Sequence, residues 1–304
     1  FAISETMGNS QSHSSQGQVV SKEGQPPEPP YSGPVAQYEF VNVQVTMSTQ
    51  ISFSFMATQI VTSNVEAYYS FLAQRYEQGY RLLSFYHIPG QVQRTGGLFS
   101  RDVLMPFQGI FCRYPQVPSN ERFQLRIEKS VIQPQAVYNG FITSQANVVT
   151  DTTHLFQTIS SYAENGGRLI CIELTGQEVT APQFGTVRIP VMGCDLFFEM
   201  PLDAGHEKYV YTVACVPIQV ALQGFPARPK VFCDWLGVLG QYLCQGYKLV
   251  EIFMDETKST QYAGFSASQT YNSQWFFEKP ASRINDPTPV YQGTVVTHTI
   301  KMSA

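Results

Sequence analysis

A chain of 304 residues, 43% hydrophobic and 14% charged with a net charge of −4, can bury a core and divide into two or three domains. It has no basic excess to neutralise phosphates, which excludes nucleic acid as its main partner. No apolar run approaches the ~20 residues of a membrane-spanning helix, and the first residues lack the apolar stretch of a secretory signal.

Residues 1–36 are rich in Ser, Gln, Gly, Pro and Glu and are expected to form a disordered tail. Pro26-Pro27-Glu28-Pro29-Pro30 reads as an extended spacer of polyproline type. Ahead of it, Met7-Gly8-Asn9-Ser10-Gln11-Ser12 matches the M-G-x-x-x-[ST] signal for N-myristoylation. With Met7 as initiator, Gly8 is the lipidation site. The tail has no cysteine for a second acyl chain and only Lys22 as a base. One myristoyl chain holds a membrane weakly and reversibly, so the expected anchor is of that kind.

Three units follow, expected over residues 37–118, 119–205 and 206–304. Each opens on an alternating strand: Tyr38–Val45, Phe123–Lys129 and Tyr209–Val216. Period-two alternation predicts a sheet with helices on one face. A helix comes next. Val65, Tyr68, Tyr69, Leu72 and Tyr76 mark the first, with Ser63 and Glu66 at capping-box spacing. Leu155, Ile159 and Tyr162 mark the second, with Asp151 as its cap. Phe232, Trp235, Leu236, Leu239 and Leu243 mark the third, with Pro229 in its first turn.

Each helix ends at a glycine that leads into a strand: Gly79-Tyr80-Arg81-Leu82, Gly166-Gly167-Arg168-Leu169 and Gly246-Tyr247-Lys248-Leu249. These glycines are spaced 87 and 80 residues apart and are read as left-handed helix ends. An aromatic strand running to a proline closes each unit, at Pro115, Pro201 and Pro280, spaced 86 and 79. Two landmarks in step predict an internal repeat. The fold class is therefore α+β, with three tandem strand–helix–strand–strand repeats and a mainly antiparallel sheet. Residues 289–300 read as one further strand.

The chemistry expected is that of a binding protein. There is no G-x-S-x-G elbow, phosphate-binding glycine loop or H-E-x-x-H. His13, His87, His154, His206 and His298 are scattered, and His87 reads as a strand end. Asp255-Glu256 reads as a solvated turn. Cys112, Cys171, Cys194, Cys215, Cys233 and Cys244 form no C-x-x-C pair and read mostly as buried free thiols. Cys233 and Cys244 are expected on the packed face of the third helix. No N-x-[ST] sequon occurs, which favours a reducing compartment. No catalytic residue, metal ligand or cofactor site is predicted.

The alternating strand, the helix ending in Gly-Tyr-[Arg/Lys]-Leu and the aromatic strand closing in proline resemble the modules of the raftlin family, best over Tyr38–Tyr86 and Lys208–Pro280. That resemblance implies an N-terminally acylated, membrane-associated protein of trafficking or signalling. Asn9 stands where the family has a cysteine after the acylated glycine, and the family's long disordered segments are missing. The expectation is a non-catalytic adaptor on the cytosolic face of a membrane, held by myristate at Gly8 and by a protein partner. The alternatives are a soluble intracellular protein-binding scaffold and an enzyme or small-ligand carrier with a pocket between units.

Overall fold

The computed structural model describes residues 33–53, 57–88, 93–96, 101–116, 122–138, 146–180, 190–203, 205–223, 228–263 and 266–286. Gly8 and the strand expected over 289–300 lie outside them.

The first segment holds β1 (Gln37–Phe53), β2 (Ala57–Ser63), a 3-10 turn (Val65–Tyr68), α1 (Tyr69–Glu77), β3 (Arg81–His87), β4 (Gln93–Gly96) and β5 (Arg101–Arg113). The second holds β6 (Phe123–Tyr138), β7 (Ala146–Asp151), α2 (Thr153–Glu164), β8 (Arg168–Thr180) and β9 (Val191–Pro201). The third holds β10 (Tyr209–Gln223), β11 (Arg228–Phe232), α3 (Trp235–Leu243), β12 (Lys248–Ala263) and β13 (Ser266–Pro280). The fold is α+β, a dominantly antiparallel sheet with three short helices packed against it.

The strand order β3-β5-β1-β2 reappears as β8-β9-β6-β7 and as β12-β13-β10-β11. An antiparallel pairing of β2 with β8 at Gln59–Val61 joins the first two orders into one nine-stranded sheet, and the third forms a four-stranded sheet. The second and third segments therefore each have one strand more than expected, and the first, with β4 paired to β5, has two. β2, β7 and β11 turn back on the opening strand before the helix begins. Pro229 belongs to β11, opposite Leu222, and not to the third helix. β11 is an edge strand, where a residue without an N–H is tolerated.

The second departure concerns the sheet faces. Adjacent strand residues point to opposite faces, and the aromatic doublets use both. Phe197 packs in the core of the first segment with Leu72, Tyr76 and Phe85. Phe198 packs beneath α2 with Leu155 and Ile159. Phe276 joins that second core from the third segment, while Phe277 lies under α3 with Trp275 and Val216. Leu125 on β6 joins the first core and Ile132 of the same strand the second. Helices thus cover both faces of the second segment's sheet, where cover on one face alone was expected. α1 and α2 each lie between their own strands and the opening strand of the following segment.

The proline landmark is offset in the first segment. Arg168 and Lys248 stand opposite Glu199 and Glu278, whereas Arg81 stands opposite Cys112. Tyr114 therefore takes the place of Pro201 and Pro280, and Pro115 lies one residue further on.

Ser63 Oγ accepts from the Val65 N–H, so a 3-10 turn replaces the expected capping box. Asp151 accepts from the Thr153 N–H at 2.9 Å, just ahead of α2. Gly79, Gly166 and Gly246 have φ of +78°, +79° and +82°, and their amides close the last helical turns. An L side chain at such φ costs about 1–2 kcal/mol. A Cβ on Gly79 would meet nothing within 4 Å, whereas one on Gly166 would lie 3.1 Å from Pro201 Cγ. Gly79→Ala is expected to lower unfolding free energy by about 1 kcal/mol, and Gly166→Ala by more. Urea denaturation of both variants checks the order.

Candidate functional site

The two joints between segments are built from the same parts. At the first, Arg81 pairs with Glu199 at 2.7 Å, and its guanidinium lies 3.4 Å from the ring centre of Phe123. At the second, Arg168 pairs with Glu278 and lies 4.6 Å from the ring centre of Tyr209. A phenol completes each. Tyr76 on α1 accepts the Leu82 N–H at 3.2 Å and meets Glu199 at 3.4 Å. Tyr211 on β10 accepts the Leu169 N–H at 3.0 Å and donates to Glu278 at 3.0 Å. Burial first, and then the adjacent carboxylate, hold both phenols protonated above the usual tyrosine range. Burial works against the charge of Arg168, but its hydrogen bonds and attraction to Glu278 outweigh that.

Apolar contacts fill the rest of each joint. Phe85 lies 5.1 Å from Phe197, and Tyr69 meets the same ring edge-on at 6.4 Å. At the second joint Ile172 packs in the cluster that holds Phe276.

Among the described residues no further segment lies over the third. Ile252 occupies the strand position of Phe85 and Ile172, counted from the paired Arg81, Arg168 and Lys248 through the bulge that each strand shares. Phe85 and Ile172 are 1% and 4% exposed, but Ile252 is 40% exposed. Leu236 stands ten residues before Gly246, as Tyr69 stands before Gly79, and is 52% exposed beside an exposed Trp235. No residue of α3 is fully buried, although Val238, Leu239 and Tyr242 pack inward. Trp235 and Leu236 open α3, and Ile252 and Met254 occupy alternate positions of β12; all four are exposed, with Lys248 at the start of the same strand, and we refer to them as the end face.

This corrects in part the packed face expected for the third helix, of which Leu239 and Cys233 do pack against the core. Phe232 belongs to β11, and Trp235 and Leu236 turn outward. Cys233 precedes α3, Cys244 follows it and is exposed, and Cys215 is exposed as well. Cys112, Cys171 and Cys194 are buried. Burial pushes the Cys171 thiol up and that of Cys194 to about 12, which leaves both as poor nucleophiles. Asp255 is fully buried within β12, so it is not in a solvated turn.

Two hollows remain. One of about 570 Å³ lies beside α2 and is lined by Glu128, His154, Ser161, Tyr162, Asn165 and Met200. Next to it, Ser130 Oγ lies 3.0 Å from His154 Nδ1. A serine–histidine pair needs an orienting group on the other ring nitrogen and donors for an oxyanion. The Ser130–His154 contact is one part of such an arrangement, and Ser130 also hydrogen-bonds the Cys194 thiol. The other hollow, about 310 Å³, is lined by Met47, Val61, His87, Glu173, Gln177 and Met192, among others. His87 ends β3, its N–H donating to Glu173 at 3.3 Å. Among the described residues no three His, Cys, Asp or Glu side chains are grouped to hold a metal ion. No described helix is long and apolar enough to cross a membrane.

No family model, curated protein or solved structure matches the chain.

Sequence reasoning singled out Gly8 and overlooked the end face. The signal was the basic residue that recurs after each helix-ending glycine, together with the glutamate ahead of Pro201 and Pro280.

The joints lead to two expected outcomes. Glu278 is 1% exposed, so removing its partner strands a buried charge. Arg168→Met is expected to cost about 3 kcal/mol, and Arg168→Met with Glu278→Leu distinctly less; denaturation of the four chains of the cycle measures both. Glu251, half-buried at the second joint, accepts the Ile172 N–H at 3.2 Å. Burial pushes its carboxyl from an ordinary 4.5 to about 7, despite that bond. Burial, and then Glu66, bring Asp195 to about 7 as well. In both cases the folded value exceeds the unfolded one. The folded chain therefore holds these protons more tightly, and stability present below about pH 4 is lost as pH rises towards 7. The melting temperature is expected to fall between about pH 4 and 7, and Glu251→Gln to flatten that fall.

Proposed function

We propose that the chain is a non-catalytic protein-binding scaffold made of three copies of one strand–strand–helix–strand–strand unit. The recurring strand order and the two joints of matching chemistry support the copies. The observation that carries the function is the uncovered apolar end formed by Trp235, Leu236, Ile252 and Met254. An apolar patch with a polar rim is the usual form of a protein-interaction surface. The free thiols and the lack of an N-x-[ST] sequon support a cytoplasmic setting.

A second reading adds a membrane surface. The motif at Gly8 favours it: a myristoyl group there would hold the scaffold reversibly at a bilayer.

Proximity labelling in cells separates these readings. Leu236→Asp with Ile252→Asp changes exposed positions only, and the melting temperature is expected to hold within a few degrees. The set of labelled proteins is expected to shrink, with individual partners dropping roughly tenfold. An undiminished set from the folded variant rejects the scaffold reading. Loss of labelling and of membrane flotation with Gly8→Ala, but not with the double variant, favours the membrane adaptor.

A further inference from the structure

We infer that the end face at α3 and β12 takes a protein partner whose docking surface is a β-sheet face with an aromatic or aliphatic row and one carboxylate, and that a second copy of this chain is a poor occupant. This rests on the scaffold reading and specifies the partner of the same face.

The two internal joints define what such a face accepts. The helix side of each supplies a basic residue, Arg81 or Arg168, and an apolar pair, Tyr69 with Phe85 or Phe156 with Ile172. The sheet side supplies a carboxylate, Glu199 or Glu278, a ring beneath the guanidinium, Phe123 or Tyr209, and a buried aromatic, Phe197 or Phe276. The third segment retains the whole helix side, with Lys248, Leu236 and Ile252 at the corresponding places. Lys248 is half exposed and lies 4.0 Å from Glu278, so its charge borders the patch. An ammonium there favours a carboxylate across the interface and disfavours a second cation.

The chain's own opening face does not meet that description. Tyr38 stands opposite Cys112, as Leu125 stands opposite Glu199 and Tyr211 opposite Glu278. The carboxylate position is therefore a cysteine. Ala36 lies two residues before Tyr38, where the other segments have Phe123 and Tyr209, so the ring is missing too. Tyr38 and Phe40 keep the row apolar and exposed. Head-to-tail stacking of copies would bury that row but gain neither the ion pair nor the cation–ring contact.

The test installs the missing chemistry on the full chain. Sedimentation equilibrium is run on the wild type, on Ala36→Tyr with Cys112→Glu, and on that variant carrying Leu236→Asp. The wild type is expected to stay monomeric to about 100 µM. The double variant should associate head to tail at least tenfold more tightly, and Leu236→Asp should abolish this. If the double variant does not fold, Ala36→Tyr alone, just ahead of β1, carries the same test with a smaller effect. Failure of the folded variant to associate overturns the inference. Strong, Leu236-dependent assembly of the wild type overturns it as well and identifies a second copy as the occupant. In either case the cellular loss of partners with Leu236→Asp and Ile252→Asp stands as a separate result, so the scaffold reading fails or survives independently.

Discussion

A sheet with two apolar faces must be covered twice, and this requirement arranges the whole structure. Each closing strand carries two bulky residues in a row, and adjacent strand residues point to opposite faces. One of the pair is covered by the helix of its own segment. The other is covered only if the preceding segment brings its helix across. Phe197 and Phe276 are fully buried because α1 and α2 do this. The dependence runs in one direction, since the sheet of each later segment completes the shelter of the helix before it.

Burial drives the segments together and the polar groups decide how they meet. A rough 25 cal/mol per Å² of apolar area makes the stacked aromatics the main source of stability. A buried ion pair adds little net stability over an apolar substitute. Its value lies in register: Arg168, Glu278 and Tyr211 satisfy one another, and a backbone N–H of β8, only when the strands align one way. A slip of one residue would bury Glu278 without its partners. The half-buried carboxyl of Glu251 serves the same alignment through the Ile172 N–H, and it does so at the expense of stability above neutral pH.

Much of this could be read from the sequence. Alternation located the opening strands, helical spacing located the helices, and the glycines fixed where each helix stops. The aromatic doublets were visible as a landmark, but their meaning was not, because a repeating motif does not say what lies across from it. The hairpin strands β2, β7 and β11 were missed. They are short, and pairing with the strand before them holds them more than any apolar pattern of their own. Trp235 and Leu236 read as a packed face, since periodicity records that a side chain is apolar and not whether a cover is present. Pro229 misled for a related reason: its fixed φ suits the first turn of a helix and the edge of a sheet equally well.

The phenol at each joint has a consequence for how the chain is ordered. In the first joint it reaches in from the helix, as Tyr76, and the strand opposite presents Leu125. In the second it reaches in from the strand, as Tyr211, and the helix presents Ala163 in the place of Tyr76, each three residues before its glycine. Large faces small in both, with the roles exchanged. Place the third segment directly after the first and two tyrosines would compete for one site. Place a copy of the second after itself and the site would hold none, leaving a buried N–H and a carboxylate unmet. The linear sequence of segments is thereby written into side-chain volume, and a recombined or circularly reordered chain would carry a mismatch at its heart even with every unit intact.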